Sequence, residues 1–190
     1  MTSPATPPAD PVTAVVAKQD ITDVLMRYCR AVDRIDAALL RSCYHPDATE
    51  DHGGFVGDVD GYVAWVMPLL TKYDMSFHFI GNVLIELLDE RRARSEAYGI
   101  AHHRSTDGPD HRNLTVGFRY IDDVERRGDG PWLIARRVAV TEWVRRDPPE
   151  GWWPWPDQFT ASVRGPADPV FAPWGRAGAQ PGERPDGHAV

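Results

Sequence analysis

Ser76-Phe-His-Phe-Ile-Gly-Asn-Val-Leu-Ile-Glu-Leu-Leu88 is where this chain changes its hydrophobic period. It is rich in aromatic and β-branched residues and bounded by the turn-forming Asp89-Glu-Arg-Arg92, which predicts a strand. Three more runs of the same kind follow, over Ala93–Arg104, Leu114–Arg126 and Trp132–Arg145, separated by Thr106-Asp-Gly-Pro-Asp110 and Gly128-Asp-Gly-Pro131. Together they predict a long antiparallel meander. Upstream the period is helical. Between Lys18 and Val32, Ile21, Val24, Leu25, Tyr28, Cys29 and Val32 recur at three- and four-residue steps, with Asp20 or Thr22 near the start and Asp33 ending the face. A second helix over Asp36–Cys43 stops before His45-Pro46, because proline disfavours helical geometry in the residue preceding it. Ala48–Phe55 reads as a short strand, and Val59–Lys72 carries a helical stripe of Tyr62, Val63, Val66, Met67, Leu69 and Leu70. Helices first and strands later predict an α+β domain, a curved sheet wrapped around a helix layer as a cone with a hollow.

Residues 1–16 are rich in Pro, Ala and Thr and read as a flexible tail, residues 17–146 as the cone domain. Residues 147–190, with Trp152, Trp153 and Trp155 among prolines, read as an extension partly packed on the pocket or on a subunit interface. The chain has 190 residues and a formal net charge of −7, which argues against a nucleic-acid footprint, since phosphate binding needs a clustered basic face. No apolar run approaches the ~20 residues of a membrane span, and the N-terminus lacks a basic start and an apolar core, so no membrane partner and a cytoplasmic location are expected. Cys29 and Cys43 match no disulfide, redox or zinc pattern and are expected to be reduced core residues.

Asp33 and His78 stand out because each interrupts an apolar face that Leu or Phe would fill at lower cost. Brought together, they would form a base and its orienter; the alternative is that Asp33 caps the helix beginning at Asp36 and His78 hydrogen-bonds a core carbonyl. Glu50-Asp51-His52 could turn Glu50 or His52 into the cone, or could form a solvated edge. Trp65 and Phe118 are expected beside them in the substrate pocket. His102-His103 with Asp107 and His111 do not predict a metal site, since adjacent strand residues point to opposite faces. No G-x-G-x-x-G, P-loop or G-x-S-x-G sequence is present, so nucleotide cofactors and serine hydrolysis have no support.

Ile21–Asp33, Tyr44-His-Pro-Asp-Ala48, His78-Phe-Ile-Gly-Asn82 and Val124-Glu-Arg-Arg127 before Trp132 resemble the SnoaL-like proteins of the nuclear transport factor 2-like superfamily. The likeness spans about Lys18 to Val144 and is nearest to small cofactor-free lyases such as hexachlorocyclohexane dehydrochlorinase, bile acid 7α-dehydratase and scytalone dehydratase. It implies a cone-shaped α+β barrel, with Asp33 and His78 on the positions of the catalytic dyad. It also implies an inward arginine at Arg137 (Arg136 after a one-residue slip), a pocket tyrosine at Tyr28, and a further pocket histidine at His103 or His102. The reading is a cofactor- and metal-independent lyase, a dehydratase, removing a proton and a β-leaving group from an apolar ring-containing or polyketide-like molecule. A cyclase or isomerase working by enolisation, or a non-catalytic binding subunit, are the alternatives on the same cone. Such lyases imply a homo-oligomer, a trimer before a dimer. The proline- and tryptophan-rich end after Arg146 departs from the pattern.

Overall fold

In the computed structural model, residues 10–105, 113–148, 156 and 158–173 are described. Asp107, His111, Trp152, Trp153 and Trp155, and the turn read over Thr106–Asp110, lie outside the described residues. Three helices, α1 (Pro11–Arg34), α2 (Ala37–Ser42) and α3 (Val59–Leu70), pack with six strands, β1 (Tyr44–Asp51), β2 (Val56–Asp58), β3 (Met75–Leu87), β4 (Arg92–Arg104), β5 (Asn113–Arg126) and β6 (Trp132–Asp147). The strands form one curved sheet in the order β2-β1-β6-β5-β4-β3. β3 to β6 are the antiparallel meander, but β1 lies parallel to β6, so the sheet is mixed.

Two boundaries differ from the sequence reading. The first helix begins at Pro11 rather than near Lys18, with Asp10 as its cap: the Asp10 carboxylate accepts from the backbone N–H of Val12 at 3.3 Å and of Thr13 at 2.9 Å. Val12, Val15 and Val16 are exposed, so this first stretch has no buried stripe to signal a helix. β1 begins at Tyr44 and ends at Asp51, whereas Ala48–Phe55 was expected. Its pairing with β6 slips between Tyr44 and Thr49, and Pro46, which has no N–H for the ladder, sits inside that slip.

Further irregularities at Ile80/Val83, Gly117/Phe118 and Asp123/Val124 bend the meander. Gly99 is needed where β4 passes beneath the Phe118 ring of β5. A Cβ there would lie 2.3 Å from the ring of Phe118, the residue paired with it on β5. The inner face and helices enclose one large cluster, including Val24, Tyr28, Leu40, Tyr44, Tyr62 and Phe118, with a smaller one around Ile21, Ile85 and Trp132. Cys29 and Cys43 are free and buried, as their placement in helix-like sequence predicts. Burial pushes the Cys29 thiol up to about 12. Among the described residues, no helix is long and apolar enough to cross a membrane.

Candidate functional site

The last turn of α1 delivers Asp33. Ile35 then takes a left-handed conformation (φ 57°), which ends the helix and turns the chain away. Asp36, not Asp33, caps α2, its carboxylate accepting from the Leu39 N–H at 2.9 Å. Asp33 is thereby free to face β3. Its Oδ1 lies 2.7 Å from His78 Nδ1, and its Oδ2 accepts from the His78 backbone N–H at 3.0 Å. One carboxylate therefore holds both ring and backbone of a single histidine. Both side chains are nearly enclosed, 9% exposed for His78 and 11% for Asp33, so their attraction is weakly screened. A carboxylate only accepts, so Nδ1 carries the hydrogen and the basic lone pair sits on Nε2.

His103 and His102 separate as alternation demands. The His103 ring stands edge-on to His78, 5.4 Å between centroids, and its Nδ1 lies 2.9 Å from Ser76 Oγ. Burial pushes the His103 imidazole down to about 3, with the charges of His78 and Arg164 adding to the effect, so it stays neutral near pH 7. His102 is on the outer face, against Thr115 Oγ1 at 3.1 Å. Phe118 packs edge-on to His78 at 6.0 Å and joins Tyr120 at 4.5 Å.

A second polar group lies beyond Tyr120. The Tyr28 and Tyr62 hydroxyls are 2.6 Å apart. Arg137 is the inward member of its pair, whereas Arg136 is half-exposed near Asp123. Arg137 is fully buried: Nε and Nη2 each donate to Asp122 at 2.7 Å, and the guanidinium lies in the corner made by the nearly perpendicular rings of Tyr28 (4.1 Å) and Tyr120 (4.0 Å). Arg137 Nη1 is buried with no partner. The inward arginine is thus already neutralised by a carboxylate, because a bare guanidinium could not be buried at acceptable cost. Glu50, against the solvated-edge alternative, is 1% exposed. Its Oε2 accepts from the Tyr44 hydroxyl at 2.8 Å and its Oε1 lies 2.9 Å from His52 Nδ1. Trp65 packs on Phe55, Tyr62 and His52 at 5.7 to 6.2 Å.

Asp33, His78, His103 and Phe118 are therefore one contiguous group, and Tyr28, Arg137, Glu50, His52 and Trp65 a second, linked through Phe118–Tyr120. Asp122, Tyr44, Tyr62, Tyr120 and Ser76 were not singled out from sequence. Asp122 carried a signal, since it is a lone acid on an otherwise apolar alternation in β5. A surface cleft of about 260 Å³ opens on the outer face against Phe79, Tyr98 and Trp143, with Phe118 of the first group and Glu142 also lining it.

A family model described as SnoaL-like domain matches residues 13–138. No curated protein matches the chain in sequence. Among solved structures, a type 2 hexachlorocyclohexane dehydrochlorinase is 15% identical with a TM-score of 0.68, over 79% of this chain and 100% of that one. A protein provisionally described as a scytalone dehydratase, from Novosphingobium aromaticivorans, is 19% identical with a TM-score of 0.64, over 81% of this chain and 95% of that one. At such identities the likeness shows a common fold.

Proposed function

The chain belongs to the SnoaL-like domain family of the nuclear transport factor 2-like superfamily, and on that premise we propose that it is a cofactor-independent lyase, a dehydratase, with His78 as general base and Asp33 as its orienter. The observation that carries the reading is the double grip of Asp33 on His78, which leaves the basic lone pair on Nε2. An imidazole so held can take an acidic proton from carbon beside a carbonyl, and the imidazolium that forms is stabilised in place. The arrangement is a catalytic triad lacking its nucleophile, which suits proton removal followed by loss of a β-leaving group.

The Tyr28–Tyr62 pair supplies the complementary charge. The Tyr28 hydroxyl also bonds that of Tyr120, and three hydroxyls joined by two hydrogen bonds have one hydrogen left over to offer a carbonyl oxygen or the enolate that develops from it. Burial pushes the Tyr28 and Tyr62 phenols well up, keeping them protonated donors. Arg137 acts behind them, its cation against the Tyr28 and Tyr120 rings sharpening the donors without meeting substrate. Phe118, Trp65 and Ala101 around these groups suit an apolar, ring-containing or polyketide-like molecule. The scaffold alternative gives no reason for a buried acid and imidazole to be paired. Enolisation without a leaving group, as in a cyclase or isomerase, would use the same dyad, and product mass separates it from loss of water. We place the protein in the cytoplasm as a homo-oligomer, a trimer before a dimer.

Titration of the His78 ring by NMR in wild type and Asp33→Asn tests the dyad. Loss of the carboxylate removes the partner of Nδ1, and the His78 ring resonances of the two proteins should then differ across the titration. Identical titration in the two proteins would remove the base and its orienter, and the scaffold reading would take over.

A further inference from the structure

We propose that Glu50 and His52 form a second carboxylate–imidazole pair in the same cone, and that His52 is the acid that protonates the departing hydroxyl. This rests on the elimination reading above. Hydroxide is a poor leaving group, so a dehydratase needs a proton donor as well as a base. The tyrosines are ill suited, because burial pushes their phenols well up and makes them reluctant to part with a proton.

His52 has what they lack. Its Nδ1 is held at 2.9 Å by Glu50 Oε1, a carboxylate whose side chain is wholly enclosed, while the His52 side chain itself is 27% exposed. Glu50 cannot drift, since Tyr44 donates to its other oxygen at 2.8 Å and its backbone pairs with Gly57 on one side and Arg137 on the other. The tight turn after β1 fixes the imidazole: the His52 N–H donates to Phe55 O at 2.8 Å, the Gly54 N–H donates to His52 O at 2.8 Å, and Gly53 takes a positive φ of 71° that favours glycine. The ring packs against Tyr62 (5.3 Å), Trp65 (6.2 Å) and Tyr120 (6.3 Å). Because Glu50 can only accept, Nδ1 is a donor in either protonation state and exchange is confined to Nε2, which has no partner among the described residues. Tyr120 touches Phe118, which touches His78, so two carboxylate-held imidazoles stand at the two ends of one run of buried aromatic rings.

The proton count closes. His78 Nε2 takes the proton from carbon and the C–H electron pair becomes the new C=C bond. The C–O bond breaks with its pair on oxygen, which takes the proton from His52 Nε2 and leaves as water. Exchange with solvent then returns His78 to its neutral form and His52 to its protonated one. In these terms His52 is a catalytic residue and Glu50 a positioning residue.

The test uses the full chain with a cyclic β-hydroxy ketone and the matching β-acetoxy ketone, whose carboxylate departs without a proton. kcat/KM is measured against pH for wild type, His52→Gln, Glu50→Gln and His78→Gln. His52→Gln is expected to lower the hydroxy-to-acetoxy rate ratio by about 100-fold or more and to abolish the alkaline limb of the hydroxy-ketone profile. The titratable groups facing His52 are Glu50, Tyr62 and Tyr120, with Tyr44 and Arg137 behind Glu50, and burial pushes all three phenols well above their ordinary range, so none replaces that limb. Glu50→Gln should lower the same ratio by a smaller factor; should His52→Gln fail to fold, this variant decides. Equal losses on both ketones, or an unchanged alkaline limb, would overturn the acid role while leaving the base intact. An unchanged hydroxy-ketone rate in His78→Gln would overturn the base instead. Wild type that turns over neither ketone would sink the elimination reading and the acid role with it.

Discussion

At the scale of single residues, the site is defined by imidazoles whose surroundings differ. His78 and His52 each have a carboxylate on Nδ1, whereas His103 has only the Ser76 hydroxyl and a buried position. His103 is held down at about 3 in the folded protein, against an ordinary value near 6.5 in the unfolded chain, so the unfolded state binds more protons between these limits. Its neutral form contributes stability fully above about pH 6.5 that is lost as pH falls toward 3, at no more than about 1.4 kcal/mol per pH unit. Urea midpoints across this window should fall with acidification in wild type and fall less steeply in His103→Asn. Parallel slopes would mean that His103 is not the buried neutral imidazole described here. Of these residues, Asp33 and His78 were legible in sequence because a polar side chain on an apolar face needs a reason. The resemblance implied an inward arginine but left Arg136 and Arg137 open, and the bond to Asp122 had no signal, since the two are joined only by the cross-strand pairing of β5 and β6.

At the scale of elements, the C-terminal segment matters most for what it holds. Arg164 reaches between the end of α1 and the turn after α3. Its Nη1 donates to Leu70 O at 2.7 Å and also to Tyr73 O, and its Nη2 donates to Val32 O at 3.4 Å and to Ser76 Oγ at 3.3 Å. Beside it the Gly165 N–H donates to Arg34 O at 2.9 Å, and Asp168 pairs with Arg34 at 3.0 Å. These bonds tie the residues flanking Asp33 to the start of β3, two residues before His78. Arg164→Ala strips donors from three carbonyls and should cost about 1–3 kcal/mol by urea denaturation. Arg164→Lys should recover little, because an ammonium cannot reproduce the planar fork. A loss under about 0.5 kcal/mol in the alanine variant would show that the clasp is not maintained in solution. Nothing in local sequence signals this contact, since glycine- and proline-rich composition reads as irregular whether or not it docks.

At the scale of the whole molecule, the two faces of the sheet are unlike in a way that alternation predicts but does not explain. The inner face carries the imidazoles and tyrosines. The outer face exposes Phe77 (52%), Phe79 (56%), Tyr98 (46%) and Trp143 (47%), a run of aromatic side chains of the kind that marks an interaction surface. A second copy of the chain is the expected cover. Sedimentation velocity should show a particle larger than one chain at micromolar concentration, and Phe79→Lys should shift it toward the monomer. A wild-type chain that sediments as a monomer throughout would leave this face without its expected partner.

Sequence by itself determined the class of fold, because the switch from a three-to-four-residue period to long β-type runs at Ser76 admits few arrangements other than helices on a curved meander. It also determined which polar residues were out of place, Asp33 and His78 first. Tertiary structure alone decided the rest. β1 lies parallel to β6 although no adjacent chain joins them, and that single pairing brings Glu50 beside Arg137 and buries it. Whether Glu50 and His52 formed a wet edge or a second pair therefore depended on a partner strand far along the chain. The contacts that complete the site span such distances, and a local pattern records the face that a side chain takes, not the neighbour it meets there.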